Sequence, residues 1–164
     1  MPKHHSVIAF FGWRRVVPAI LCSFVSTAAF GQVIVNLPWA RATTGGQRSA
    51  PLFMKLEAQV TGSIALRGAS SPLASLVEIR VPSKTKIGGT YLTRTQINIA
   101  AGSYLLLNPG APHLMLVGLG HALEKGARVP VTLEFETQEK QRFLVNISAE
   151  VVSPTAHSAL DHHH

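Results

Sequence analysis

The chain is short of the residues that build most catalytic and redox sites. It has one cysteine, Cys22, among 164 residues. An internal disulfide framework and a multi-cysteine zinc or iron–sulfur site are therefore excluded. Asp161 is its sole aspartate, so a Ser-His-Asp triad inside the folded region is excluded too, although glutamate is able to take the aspartate's place. Charged residues reach only 14%, against about a quarter in an ordinary soluble domain. No apolar run is long enough for an ordinary membrane-spanning helix. No glycine-rich phosphate loop opens a helix, and no three-turn helical pattern follows residue 31.

Hydrophobic residues make up 46% of the chain, enough to bury a core and to exclude wholesale disorder. Thirteen glycines and ten prolines favour a turn-rich β fold. The length suits one domain.

Residues 1–31 read as an export signal. Lys3, Arg14 and Arg15 give a basic start, and Val16 to Phe30 form a short apolar run containing Pro18. Ala29-Phe30-Gly31 offers small residues for cleavage before Gln32. The alternative is an uncleaved anchor. Ile20-Leu21 stand before Cys22 where a lipidation signal wants small residues, so Cys22 is expected to leave with the signal. The expected location is periplasmic, with no stable membrane span after processing. The mature chain keeps twelve of the 15 basic residues and all eight acidic ones, a formal +4. It carries no basic run, which argues against nucleic acid as a partner.

From Val33 onward, short apolar segments alternate with turns. Thr44-Gly45-Gly46-Gln47, Ser70-Ser71-Pro72, Gly88-Gly89, Ala101-Gly102 and Asn108-Pro109-Gly110 punctuate the chain. Between them lie segments near 51–58, 63–68, 76–81, 91–94, 97–99, 103–107, 113–118, 129–135 and 142–151. Val77, Ile79 and Val81 alternate with Glu78 and Arg80, the period of a half-buried strand. Eight or nine such strands predict an all-β sandwich or Greek-key barrel over residues 32–153. Residues 154–164 lack a core pattern and read as a flexible tail. Trp39 and Met54 are expected in the core, Arg41 as a tie for the first strand, Gly110 and Gly118 at tight turns or close approaches, and His121 in solvent.

His113 and Met115 are two apart on one predicted strand, so both side chains project from the same face. An imidazole beside a thioether is a soft, neutral pair that suits Cu(I). The same two residues on an apolar strand are also ordinary packing residues. The tail holds His157, His162, His163 and His164, a His-rich tract that reads as a second metal site, better suited to Cu(II), Ni(II) or Zn(II). A leftover affinity tag is the alternative origin of the last three. Enzyme chemistry would have to rest on a glutamate and His113, and nothing singles out that pair.

Across about Val33 to Ile147 the chain resembles the PCuAC family of periplasmic copper chaperones. The resemblance rests on Pro38-Trp39-Ala40-Arg41-Ala42-Thr43, Phe53-Met54, Gly68-Ala69-Ser70-Ser71-Pro72, Val77-Glu78-Ile79, Asn108-Pro109-Gly110, His113-Leu114-Met115-Leu116-Val117-Gly118-Leu119 and Val129-Pro130-Val131-Thr132-Leu133-Glu134-Phe135. It implies a cupredoxin-like barrel that holds Cu(I) on His and Met side chains. It also implies exchange of copper with a periplasmic donor or acceptor, in cytochrome c oxidase assembly.

The family's ligands are a His, a Met after ten intervening residues, then His-x-Met after twenty-one more. The spacing survives here, but Arg80 stands at the first His and Tyr91 at the isolated Met. Pro82 takes the place of an accessory Met. A guanidinium offers no lone pair, and a phenol is a poor partner for a soft monovalent ion. The expectation is a carrier with a degenerate domain site at His113 and Met115. The alternative is a protein-binding module without competent copper binding, with Glu78, Arg80, Tyr91, Thr93, His113 and Met115 as a polar recognition face or simply a solvated one.

Overall fold

The structure is a computed structural model that describes residues 32–83 and 90–155. The expected export signal and the histidine tail lie outside the described residues. Ten strands follow in chain order: β1 Gln32–Arg41, β2 Ser49–Gln59, β3 Ile64–Ser70, β4 Ala74–Pro82, β5 Tyr91–Arg94, β6 Ile97–Ile99, β7 Tyr104–Leu107, β8 His113–Leu119, β9 Arg128–Thr137 and β10 Arg142–Val152. There is no helix among the described residues.

Seven strands form a ring in the order β4, β8, β2, β1, β10, β9, β3, closed where Ala69 of β3 pairs Val77 of β4. Closure leaves every ring strand paired on both sides over at least part of its length. β5 extends it beside β4, β6 beside β3, and β7 beside β2. Pairing is antiparallel except between β1 and β10, which run parallel from Trp39 to Arg41.

The barrel is filled by alternate residues. On β9, Val129, Val131, Leu133 and Phe135 point inward and are buried. On β8, Leu114 and Leu116 do the same, and on β4, Val77 and Ile79. Full burial of each such side chain is worth roughly 1.5–3 kcal/mol. Met54 sits in this core, as expected.

Two departures from alternation shape the region around His113. On β2, Leu52, Phe53 and Met54 are buried in succession. Leu52 and Met54 belong to the barrel core, whereas Phe53 forms a separate cluster with Trp39 and Val152. Trp39 covers Phe53 at 4.4 Å between ring centroids. Trp39 is therefore buried as expected, but it lids the sheet from outside the barrel interior.

On β1, the register against β2 jumps between Asn36 and Trp39. The bulge carries Leu37 at φ 47°, 62% exposed. The strand runs on past the bulge, because Trp39 and Ala40 resume pairing with Phe53 and Leu52. Gly110 and Gly118 both have positive φ, 78° and 70°. A Cβ at Gly118 would lie 2.7 Å from Ser75 Oγ, so this position also requires close approach.

Candidate functional site

The segment before β8 sets the position of His113. Asn108 O accepts from Ala111 N at 3.0 Å, with Pro109 and Gly110 between them, the residue pattern of a type II turn. Asn108 N in turn donates to Pro112 O at 3.0 Å. The chain leaves this turn directly into β8, and His113 is only 4% exposed.

Its ring is fixed in orientation. Nδ1 lies 3.1 Å from Ala111 O, a carbonyl that can only accept. The proton of the neutral ring is thereby assigned to Nδ1, and the lone pair to Nε2. Burial holds the imidazole below its ordinary pKa. The Ala111 bond acts the other way, and the positive charges of Arg80 and Arg41 add to the lowering. The neutral, lone-pair-bearing form thus persists into more acidic solution than for a free histidine.

The neighbours of His113 come from four strands. Antiparallel β4 places Arg80 opposite His113 and Glu78 opposite Met115. On the other side of β8, Pro51 of β2 pairs Met115. β5 places Thr93 beside Arg80 and Tyr91 beside Pro82. The Tyr91 ring meets His113 edge to face, with centroids 4.6 Å apart at 76°. Phe53 lies 5.8 Å from His113, and the Arg41 guanidinium is 5.6 Å from the Phe53 centroid. That distance is within cation–π range.

The four positions picked out by spacing are thus gathered on adjacent strands β5, β4 and β8. Strands separated by more than thirty residues in sequence supply them, because β4 and β8 pair from Ala74 to Arg80. Arg80 donates from Nε at 3.0 Å and from Nη2 at 2.9 Å, both to Glu78 Oε2. The ion pair is partly exposed, so its worth to stability is about 1 kcal/mol or less. It holds the guanidinium along β4, on the face shared with His113.

His121 is exposed, as expected. His157, His162, His163 and His164 lie outside the described residues. Among the described residues, no three His, Cys, Asp or Glu side chains group as metal ligands. A cavity of about 240 Å³ lies elsewhere, lined by Gln96, Asn98, Glu136 and Lys140 among others. The aromatic backing of the site has no periodic signal in the sequence. Phe53 was visible only as part of a motif, although an aromatic two residues after Pro51 shares that residue's strand face.

Comparison with known proteins follows the same boundaries. The family model for putative lipoprotein LpqE-like matches residues 33–147. A putative lipoprotein, Lxx21020 of Leifsonia xyli subsp. xyli, is 34% identical over 105 residues, or 63% of this chain. The chain spans 61% of that curated relative's length. Among solved structures, the apo PCuAC domain of PmoF2 superposes with a TM-score of 0.64 at 24% identity, covering 79% of this chain and 97% of that domain. The Cu(I) form of DR1885 from Deinococcus radiodurans gives 0.52 at 25% identity, covering 77% and 83%. The barrel is the cupredoxin-like fold of PCuAC domains. With seven-tenths of its length inside the family match, the chain belongs to the LpqE-like family of PCuAC type.

Proposed function

We propose that this protein is an exported copper carrier that takes Cu(I) as its cargo on His113 Nε2 and Met115 Sδ, and that it is not an enzyme. One observation carries the reading. The His113 ring is anchored through Nδ1 on Ala111 O, which leaves Nε2 as a neutral donor on the strand face that also presents Met115. Soft neutral donors of this kind select Cu(I) over harder ions. The relatives support the cargo: one solved PCuAC domain of the same fold, from PmoF2, is copper-bound, and DR1885 was solved with Cu(I).

The carrier acts in the periplasm, consistent with the lipoprotein names of its relatives. It exchanges copper with a protein donor or acceptor there, with cytochrome c oxidase assembly as the candidate destination. The domain covers residues 32–153. The tail histidines His157, His162, His163 and His164 serve as a separate Cu(II) site.

A second reading is favoured by the Glu78–Arg80 pair. A guanidinium tied across from His113 occupies the place of a ligand and opposes a cation, as expected of a protein-binding module that has left copper behind. Anaerobic Cu(I) titration against a chromophoric chelator separates the two. The assay uses the chain from Gln32, with the tail histidines intact or replaced by alanine. Stoichiometric Cu(I) uptake that is lost in His113→Ala supports the carrier. Copper uptake that vanishes with the tail histidines alone supports the module.

A further inference from the structure

The ring closes between β1 and β10 only from Trp39 to Arg41, against Glu150 to Val152. Leu37 at φ 47° and Pro38, which has no N–H, turn β1 away below that point. Among the described residues, β10 from Arg142 to Ala149 therefore pairs on one side alone, with β9. Its inward side chains Phe143, Val145 and Ile147 stay half-buried, whereas Val129, Val131, Leu133 and Phe135 on neighbouring β9 are buried. Natural sheets blunt such edges with charges, prolines or bulges. From Phe143 to Ala149 there is no charged residue, no proline and no shift of register. The open sides of β5, β6 and β7 belong to strands of 4, 3 and 4 residues.

We propose that this edge is a dimer interface, on which β10 of a second copy pairs antiparallel about a two-fold axis at Val145. The backbone sets the register. Thr137 N donates to Gln141 O at 2.9 Å across the β9–β10 hairpin. Counted on from there, Phe143, Val145 and Ile147 bond to β9, while Arg142, Leu144, Asn146 and Ser148 turn their amides and carbonyls to the open side. Pro130, with no N–H to offer, stands opposite Ser148, as that alternation requires. With Val145 on the axis, Leu144 exchanges bonds with Asn146 of the second copy, and Arg142 with Ser148 of the second copy. Both inner faces then meet like with like, Val145 on Val145 and Phe143 on Ile147 of the second copy. The antiparallel sense also keeps the two Arg142 side chains at opposite ends, each diagonal to Glu150 of the second copy, where a parallel pairing would set like charges side by side. Arg142 is already held by Glu134 and Glu136, so the pairing rests on the backbone and the inner face.

The test uses the chain from Gln32, which has no cysteine. One strand edge is a small interface, so sedimentation velocity from micromolar to millimolar protein should show a weak, concentration-dependent dimer. Leu144→Pro removes a donor that faces the open side and spares the β9 ladder. It should weaken dimerisation about ten- to hundredfold, one edge bond being lost from each copy. Val145→Cys reads the register without relying on that variant. Residues opposed without mutual hydrogen bonds lie about 4.5 Å apart at Cα, within the reach of a disulfide. Oxidation with diamide should therefore link Val145→Cys into dimers, while Leu144→Cys, opposite Asn146 of the second copy, should link far less.

A monomer at every concentration overturns the proposal. So does a dimer that a folded Leu144→Pro variant keeps at full strength, or equal cross-linking of the two cysteine variants. If Leu144→Pro does not fold, the cysteine pair decides alone. In the ring, β1 and β2 separate β10 from β8, so His113 and Met115 stay clear of the interface in both copies. Cu(I) affinity should be the same for the unmodified chain and Leu144→Pro, and the carrier reading stands or falls independently of the dimer.

Discussion

Tyr91, at the position where the family resemblance expects an isolated Met, presents its ring to His113 edge to face at 4.6 Å. The contact shows that β5 and β8 bring Tyr91 and His113 together. Exchange at that position, with exchange at Arg80, is therefore expected to rebuild a site without moving the backbone. The double variant Arg80→His, Tyr91→Met should bind Cu(I) from acetonitrile at least about a hundredfold tighter than the unmodified domain, two added ligands at about tenfold each. Each single change should give less than its share, because ligands of one chelate do not act independently. Chelator competition on all four proteins, tail histidines removed, checks this. No gain in the double variant would mean that the two side chains do not reach the ion.

His113 also makes stability depend on pH. Its folded pKa lies below the ordinary 6.5, chiefly through burial. Below pH 6.5 the unfolded chain binds a proton that the folded chain does not, so stability falls as pH drops from about 6.5 toward the folded pKa. Above that window His113 contributes no slope. Urea unfolding of the copper-free protein between pH 7 and 5 should show the decline, and His113→Gln should flatten it. An unchanged slope in the variant would assign the dependence to other groups.

The aromatic backing is expected to tune that same group. Phe53 is 2% exposed and lies between Trp39 and His113. Phe53→Ala should cost about 3–5 kcal/mol, the usual range for a buried phenylalanine. The gentler Phe53→Leu should keep the fold and admit water beside the imidazole, so the His113 pKa should rise toward its ordinary value. Proton NMR titration of the ring reads the shift directly. A pKa that stays put would show that the Phe53 side chain does not shield His113.

Much of the barrel was legible because its strands alternate. Val129 to Phe135 and Val77 to Val81 show one face apolar and the other polar, and the structure buries that apolar face apart from Val81, which is half-buried. The bulge at Leu37-Pro38 was not legible. Asn36-Leu37-Pro38 breaks the alternation, and a proline lacks the donor that a regular ladder uses. Phe53 was hidden for a related reason: it breaks the period of β2, and its cover comes from Trp39 on another strand. The grouping of Arg80, Tyr91 and His113 could be inferred only from family spacing. Their contacts depend on the non-local pairings of β4 with β5 and β8. The Nδ1 bond to Ala111 was out of reach, since it depends on how the turn presents the ring.

The bulge itself is testable. A leucine at φ 47° is held where a Cβ is disfavoured, at a cost of roughly 1–3 kcal/mol. Its side chain is 62% exposed, so little burial offsets that cost. Leu37→Gly removes the backbone strain and adds about 0.5–1 kcal/mol of unfolded-state entropy against it. The expected balance is a gain of about 1 kcal/mol in urea unfolding, with Cu(I) affinity unchanged. A loss of stability would mean that the leucine side chain makes contacts worth more than the strain.

Cys22 and Gln32 are the two candidate first residues of a processed chain. The relatives are named putative lipoproteins, a description that would make the cysteine of the leader the lipid-bearing first residue. In this chain the residues before Cys22 are Ala19-Ile20-Leu21. A branched leucine directly before the cysteine is a poor substitute for the small residue that lipid-linked processing wants. Ala29-Phe30-Gly31 satisfies the small-residue requirement of ordinary signal cleavage ten residues later. Cleavage before Gln32 is therefore expected, leaving a cysteine-free chain that begins where β1 begins. Its intact mass, measured on protein released from the periplasm by osmotic shock, should match residues 32–164 or the form with a cyclised N-terminal glutamine. A mass that includes Cys22 with attached acyl chains, found in the detergent phase, would instead make the protein a membrane-tethered carrier. The barrel would then hang from the membrane by the nine residues between Cys22 and β1. A spacer of that length spans at most about 35 Å when extended.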